Sequence, residues 1–346
     1  MDRVTLTLSD GTEWPGLSAN GLTEAEGEVV FTTASCGYPQ SITDPSYNGQ
    51  VLVFAFPLVG NYGVDEDRLE SRRPWVKAVL AACLTGESRL GPRLEDWLAR
   101  WGVPAVTGVD TRALIRHLRE KGTAMGRLSN LPRLPEKADL PRDLAIEASV
   151  SELVIHNEGS GGPRIALLDY GVKANIIREF VRRGCTVFQC PSGMDDSEVR
   201  SLRPDGVVLS NGPGDPSWLV PQARTVANLL GRLPLWGICL GLQVMALAAG
   251  AKTYKLPYGH RGVNHAVAEA GGARGWITSQ NHGYAVDAES LRGTGFSVSM
   301  VHLGDGSVEG LVGEKLRAWS VQFHPEAFAG PKDTGFLFDE FLKGLN

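Results

Sequence analysis

The sequence predicts an α/β protein in two parts, a mixed β/α amino-terminal domain followed by a carboxy-terminal doubly wound, mostly parallel sheet with a cysteine nucleophile elbow. Three observations carry that expectation. From residue 164 onward, short apolar runs alternate with helix-compatible stretches, the pattern of a parallel sheet covered on both faces. Before residue 132, strand patterns lead and helices are fewer. Between the two, periodicity is lost and turn residues gather, with Pro135, Pro141 and the run Asn157-Glu158-Gly159-Ser160-Gly161-Gly162. The domains therefore read as 1–150 and 164–346, with 151–163 as a linker. At 346 residues the chain is long enough for about two cores.

Taken in chain order, Val4-Thr5-Leu6-Thr7-Leu8-Ser9 alternates cleanly and runs into Asp10-Gly11, a half-buried strand entering a hairpin turn. Val29-Val30-Phe31 and residues 51–56 supply further strands. Leu94, Trp97, Leu98 and Trp101 recur at helical spacing before Gly102, and Asp110 stands as the cap of a helix carrying Leu114, Ile115 and Leu118 before Gly122. In the second part, residues 164–169, 185–188, 206–210 and 235–238 are short apolar strands, each followed by a helix-compatible stretch.

A formal net charge of −5 with no basic run argues against nucleic acid or an anionic membrane surface as the partner. Residues 233–251 are uncharged over a length that could cross a bilayer. Pro234, Gly237, Gly241, Gln243 and Gly250 within that stretch, with no second span and no basic flank, fit a buried strand, a turn and a buried helix instead. Five widely spaced cysteines and the absence of an apolar leader after Met1-Asp2-Arg3 fit free thiols in a reducing cytoplasm. Cys185 and Cys190 lack a second close pair to complete a zinc site, so no metal is expected.

One cysteine stands apart. In Gly237-Ile238-Cys239-Leu240-Gly241 an apolar strand turns straight into a helix, with glycines flanking the thiol at the spacing of a nucleophile elbow. Such a turn lifts the side chain to the carboxyl end of the sheet, where α/β folds bind ligands, and aims the Leu240 N–H outward as an oxyanion donor. A helix N-terminus also favours thiolate over thiol. A nucleophilic thiol needs a base and an orienter for that base. His324 and Glu326, in Phe323-His324-Pro325-Glu326, meet that need: Pro325 biases His324 to extended backbone, and residues two apart in extended chain point the same way. The order Cys239, His324, Glu326 differs from the nucleophile, acid, histidine order of α/β-hydrolases. A second turn, Ser210-Asn211-Gly212-Pro213-Gly214-Asp215-Pro216, follows the third strand of the sheet and could offer the Gly212 N–H as a second oxyanion donor. No phosphate-binding glycine loop is present, so the chain itself is expected to hold no nucleotide.

At these residues the second half resembles the class I (triad) glutamine amidotransferases, whose elbow is Gly-x-Cys-x-Gly and whose base and acid are His-Pro-Glu. The whole chain resembles the small, glutamine-hydrolysing subunits of carbamoyl-phosphate synthetases. Gly37-Tyr38-Pro39, Thr43-Asp44-Pro45-Ser46-Tyr47, Gly60-Asn61-Tyr62-Gly63 and Gly108-Val109-Asp110-Thr111-Arg112 carry the likeness in the first half. Tyr170-Gly171-Val172-Lys173, Gly259-His260-Arg261-Gly262, Gln280-Asn281-His282-Gly283 and the stretch from Asp333-Thr334 to Phe341-Leu342 extend it. One departure is Leu242, where the family usually has histidine; another is Tyr284, where it often has phenylalanine.

The resemblance implies Cys239 as nucleophile, His324 as base and Glu326 as its orienter. It implies glutamine contacts from Ser46, Gly212, Gly214, Leu240, Gln243, Asn281, Gly283 and Tyr284, with His282 a wall or structural residue. It also implies a large synthetase subunit as partner, which would hold ATP and magnesium and make carbamoyl phosphate from bicarbonate for arginine and pyrimidine synthesis, while this chain carries no cofactor. Two rival readings stay open, an amidotransferase subunit of another synthase such as one for anthranilate, and a non-catalytic scaffold that binds a partner.

Overall fold

The computed structural model describes residues 2–86 and 88–345. The chain divides into two compact units, the first ending at Pro141 and the second beginning at Arg142.

In the first unit, β1 (Arg3–Leu8) and β2 (Glu13–Ser18) form the expected hairpin, with Thr7 opposite Glu13. Next come β3 (Ala25–Thr32), α1 (Tyr38–Ile42), β4 (Gln50–Phe54), β5 (Leu58–Val59), β6 (Ala78–Leu80) and β7 (Cys83–Leu84). The unit ends with α2 (Leu94–Arg100), β8 (Ala105–Thr107), α3 (Thr111–Lys121) and β9 (Ala124–Ser129). Seven of these strands close into a barrel in the order β1-β2-β8-β6-β4-β3-β9, with β9 returning to β1. Leu94, Trp97 and Leu98 of α2 pack against Leu52, Phe54 and Val79 of the barrel, which accounts for their helical spacing. Asp110 caps α3 as expected, its side chain accepting the Ala113 N–H at 2.9 Å.

The second unit opens with α4 (Leu144–Ala148), β10 (Val154–His156), β11 (Arg164–Leu168), α5 (Ala174–Arg182), β12 (Thr186–Cys190) and α6 (Asp196–Ser201). It continues with β13 (Gly206–Leu209), α7 (Val220–Leu229), β14 (Leu235–Ile238) and α8 (Leu240–Ala248). The remaining elements are β15 (Thr253–Glu269), β16 (Gly275–Val286), β17 (Ser297–His302), β18 (Val308–Gly313), β19 (Ala318–Val321) and α9 (Leu337–Lys343). The sheet runs β10-β12-β11-β13-β14-β19-β18-β17-β15-β16. Its centre, β12-β11-β13-β14-β19, is parallel throughout, as the alternation of strands and helices predicts. Beyond β19 the sheet continues with antiparallel strands that the alternation did not foretell.

Side chains leave the parallel strands alternately to two faces. Ala166, Leu168, Val207, Leu209 and Leu235 meet Val226 and Leu229 of α7 and Leu242, Val244 and Met245 of α8. Ile165, Leu167, Val208, Trp236 and Ile238 meet Ile176 and Phe180 of α5 and Phe338 and Phe341 of α9. Burial on both faces is why β13 and β14 read as unbroken apolar runs. The division of the chain also moves the expected boundary from 150 back to Pro141. Leu144 and Ala145 are buried in the second unit, and β10, inside the expected linker 151–163, pairs antiparallel with β12 as an edge strand. The glycines and prolines there punctuate turns around packed elements and do not free a tether.

Candidate functional site

The elbow is built by close approach. A methyl group on Gly237 would stand 2.7 Å from the Gly241 carbonyl, and one on Gly241 would stand 2.2 Å from the Leu209 carbonyl oxygen. Only hydrogen at both positions lets β14 turn into α8 against β13. Between them Cys239 is forced to φ 55, ψ −106, a conformation few side chains tolerate. Its N–H donates to the Val321 carbonyl at 2.8 Å, fixing the turn to β19, and its Sγ lies 3.6 Å from the Asn281 carbonyl oxygen of β16.

His324 follows the end of β19 and pairs in a single bridge with Ser279, its N–H donating to the Ser279 carbonyl at 2.9 Å. Its Nδ1 meets Glu326 Oε1 at 2.7 Å, the contact expected from extended backbone around Pro325. The ring is 1% exposed. Its Nε2 is buried without a hydrogen-bond partner, and the Cys239 thiol stands near enough to favour the protonated ring. Burial alone would push the imidazole down; the Glu326 carboxylate overcomes that and holds it above its ordinary range. Burial likewise pushes the Glu326 carboxyl up, and the Lys173 ammonium with the His324 ring pulls it well below the usual carboxylate value.

In the sequence Lys173 is only the last residue of the Tyr170-Gly171-Val172-Lys173 motif. Here its Nζ donates to Glu326 Oε1 at 2.8 Å and to the Ala327 carbonyl at 3.2 Å, while Asn175 Nδ2 donates to the Glu326 carbonyl at 2.7 Å. Both residues sit at the start of α5, so the end of β11 delivers a cation and an amide to the His-Pro-Glu segment. A charge inside a buried strand-to-helix connection was the available signal.

The Gly212 turn packs beside the elbow. A methyl group there would stand 2.1 Å from the Tyr170 carbonyl oxygen and 2.9 Å from Leu240 Cδ2. Asn211 secures the turn, accepting the Lys173 N–H at 3.1 Å and donating to the Gly171 carbonyl at 3.0 Å. Gln243 is buried in α8, and its Nε2 donates to the Tyr284 carbonyl at 2.8 Å and to Gln322 Oε1 at 3.0 Å. The structure therefore brings Cys239, Leu240, Gly212, Gln243, Asn281, Tyr284, His324 and Glu326 into one contact set. Gly214 faces Leu144 and Trp218, and Gly283 faces Arg261. Ser46 belongs to the first unit, on a one-turn helix of Pro45–Tyr47 whose Asp44 cap accepts the Ser46 N–H at 2.9 Å. His282 sends its Nε2 to within 3.7 Å of Glu309, and Leu242 is fully buried in an apolar cluster.

Burial pushes the Cys185 thiol up to about 11 and the Cys190 thiol up to about 12, as expected of inert strand residues. None of the described helices is long and apolar enough to cross a membrane.

Comparison with known proteins bears on both units. Residues 166–344 match the class I glutamine amidotransferase family, and residues 6–128 match the CPSase domain of the carbamoyl-phosphate synthase small chain. The carbamoyl phosphate synthase small chain of Symbiobacterium thermophilum is 45% identical, covering 97% of this chain and 96% of that protein. The protein of that name in Listeria innocua is 44% identical over 100% and 98%. The arginine-specific small chain of Bacillus subtilis is 42% identical over 98% and 96%. With both units matched in order and relatives similar from end to end, the chain belongs to the carbamoyl-phosphate synthase small chain family, with a class I glutamine amidotransferase domain as its second half.

Proposed function

We propose that this chain hydrolyses L-glutamine to glutamate and ammonia through a thioester on Cys239 and delivers the ammonia to a large synthetase subunit in the cytoplasm. The observation that carries the reading is the meeting of a strained elbow cysteine with a buried histidine whose Nδ1 is held by Glu326 at 2.7 Å. Cys239 attacks the side-chain carboxamide, and the N–H groups of Leu240 and Gly212 stabilise the oxyanion. The first N–H groups of a helix have no acceptor within it, so the Leu240 donor is available. His324 protonates the leaving ammonia and then activates the water that cleaves the thioester, with Glu326 fixing the ring.

The remaining assigned contacts of the second unit, Gly214, Gln243, Asn281, Gly283 and Tyr284, would recognise the α-amino and α-carboxylate groups and the carboxamide of glutamine. The large subunit would bind ATP and magnesium and convert bicarbonate and ammonia to carbamoyl phosphate for arginine and pyrimidine synthesis. The similarity of the first unit to the small-chain CPSase domain supports this partner over an anthranilate-type synthase.

The test is glutamate release by the purified chain, alone and with a candidate large subunit, ATP and bicarbonate. Release that rises with that partner supports the full reading. Release indifferent to it leaves a glutaminase serving another synthase, and no release in either condition leaves a binding scaffold.

A further inference from the structure

Four of the seven histidines, His260, His265, His282 and His302, gather in the antiparallel half of the second-unit sheet. His260 of β15 and His282 of β16 are direct cross-strand partners. Glu309 of β18 points between them, its Oε1 3.7 Å from His260 Nδ1 and 3.7 Å from His282 Nε2. The side chains are 7%, 2% and 0% exposed, and none of these three atoms makes a hydrogen bond.

The outer atoms of the same side chains are all engaged. His260 Nε2 meets Asp305 Oδ2 at 2.9 Å, and His282 Nδ1 meets the Tyr284 carbonyl at 2.8 Å. Carboxylate and carbonyl oxygens only accept, so each neutral ring carries its proton on that outer nitrogen. Gln280 Nε2 donates to Glu309 Oε2 at 2.8 Å, leaving Oε1 with its lone pairs inward. With both rings neutral, three buried acceptors face one another with no donor between them, and either a proton on His260, which the Glu309 and Asp305 carboxylates favour, or a metal cation relieves that cost.

We propose that His260 Nδ1, His282 Nε2 and Glu309 Oε1 bind a divalent transition-metal ion, zinc by the chemistry of the donors, which locks β15, β16 and β18 together behind the nucleophile. Two imidazoles and a carboxylate are a zinc donor set, and histidine ligands held from behind by a carboxylate and a carbonyl are the usual supporting shell. Metal–ligand bonds of about 2.0–2.2 Å in a tetrahedron set ligands about 3.4 Å apart, so the ion draws both histidine nitrogens toward Glu309 Oε1 by a few tenths of an ångström, with a water as the fourth ligand. A second grouping, His260, His302 and Asp305, is disfavoured because its atoms are already paired, Asp305 Oδ1 accepting from the Ser307 N–H at 3.0 Å and His302 Nδ1 from the Gly304 N–H at 3.1 Å. The consequence for the proposed reaction is positional: Asn281, whose carbonyl faces Cys239, immediately precedes the ligand His282.

The full chain, purified without a polyhistidine tag, is assayed for bound metal, then stripped with a chelator and titrated with Zn²⁺ and with Co²⁺ as a spectroscopic probe. About one equivalent of Zn²⁺, a rise in Tm of several degrees on adding it back, and a tetrahedral Co²⁺ spectrum are expected. Glu309→Gln weakens Zn²⁺ binding by at least about a hundred-fold, Asp305→Asn by about ten- to a hundred-fold, and His302→Gln leaves it within a few-fold. If Glu309→Gln does not fold, Asp305→Asn decides. A folded wild-type chain that takes up neither ion overturns the proposal, as would a water molecule in place of the ion. Binding indifferent to Glu309→Gln and Asp305→Asn, or abolished by His302→Gln, also overturns it. These readouts do not depend on glutamine turnover.

Discussion

Lys173 Nζ and His324 Nδ1 converge on one atom, Glu326 Oε1, at 2.8 and 2.7 Å. The carboxylate therefore serves two cations in a buried site, and each weakens its hold on the other. Lys173 holds the imidazole down from where Glu326 alone would put it. Lys173→Met removes that opposition, so the His324 pKa rises further and its free-base form appears only at higher pH. The acid limb of the kcat/KM profile for glutamine hydrolysis should move upward, with kcat at the plateau changing less than at neutral pH. An unmoved limb would show that Lys173 serves packing alone.

Cys239→Ser changes one atom of a side chain that is 2% exposed, so the fold should persist. Glutamate release should fall by at least about 10³-fold, because a hydroxyl at this position lacks the nucleophilicity of a thiolate. Glu326→Gln should cost less, about ten- to a hundred-fold, since an orienter is worth less than the group it orients. It should nonetheless unfold more easily, by about 3–5 kcal/mol in urea titrations, because Lys173 is then a buried charge without its counter-ion. Equal activity losses would reassign Glu326.

Gly241→Ala tests the elbow by geometry alone. The added methyl group meets backbone, the Leu209 carbonyl oxygen at 2.2 Å, and no flexible side chain can yield in its place. About 3 kcal/mol of stability should be lost, and activity should fall further than stability explains, since α8 must shift and carry the Leu240 N–H with it. Chemical denaturation and glutaminase assays on the same preparation separate the two effects.

The parallel half of the second unit and its elbow were legible because the signals are local. Val207-Val208-Leu209 and Leu235-Trp236-Gly237-Ile238 are unbroken apolar runs, and the glycine spacing around Cys239 admits few other conformations. The antiparallel half was not legible. Its long strand β15 contains Pro257, Gly259 and Gly262 and changes register between Lys255 and His260 and again between Gly262 and His265, so no period-2 pattern survives. Closure of the barrel depends on β1 finding β9 across the whole first unit, which no local run encodes. Lys173 escaped a role because its partner Glu326 is 153 residues away, and Asp305, Glu309 and the histidines escaped because they come from separate strands. Leu242, a departure from the family pattern, is explained by its surroundings.

Leu242 is fully buried in the apolar cluster that also holds Val207, Leu209, Val226 and Met245. Leu242→His, which restores the residue common in the family, should cost about 1–3 kcal/mol in urea unfolding, because an imidazole there loses water and gains no partner from those neighbours. The loss should grow below pH 6.5, where the unfolded chain binds a proton that the buried ring refuses.

The pH dependence of stability reports on the triad itself. The folded Glu326 carboxyl lies below its ordinary 4.5, so its contribution is complete above 4.5 and is lost as pH falls toward the lowered folded value. The folded His324 imidazole lies above its ordinary 6.5, so its contribution is complete below 6.5 and is lost as pH rises toward the raised folded value. The joint contribution of these two groups is greatest between about pH 4.5 and 6.5 and falls on both sides. His265, His282 and His302, which burial holds below their ordinary value, subtract stability as pH drops below 6.5, so the comparison with a variant isolates the triad. His324→Gln should flatten the alkaline fall and leave part of the acid one, because Lys173 still holds the Glu326 carboxylate. Urea unfolding of both proteins across pH 3.5 to 9 measures this, and an alkaline limb identical in the two would mean that the imidazole and carboxylate are not coupled in the folded chain.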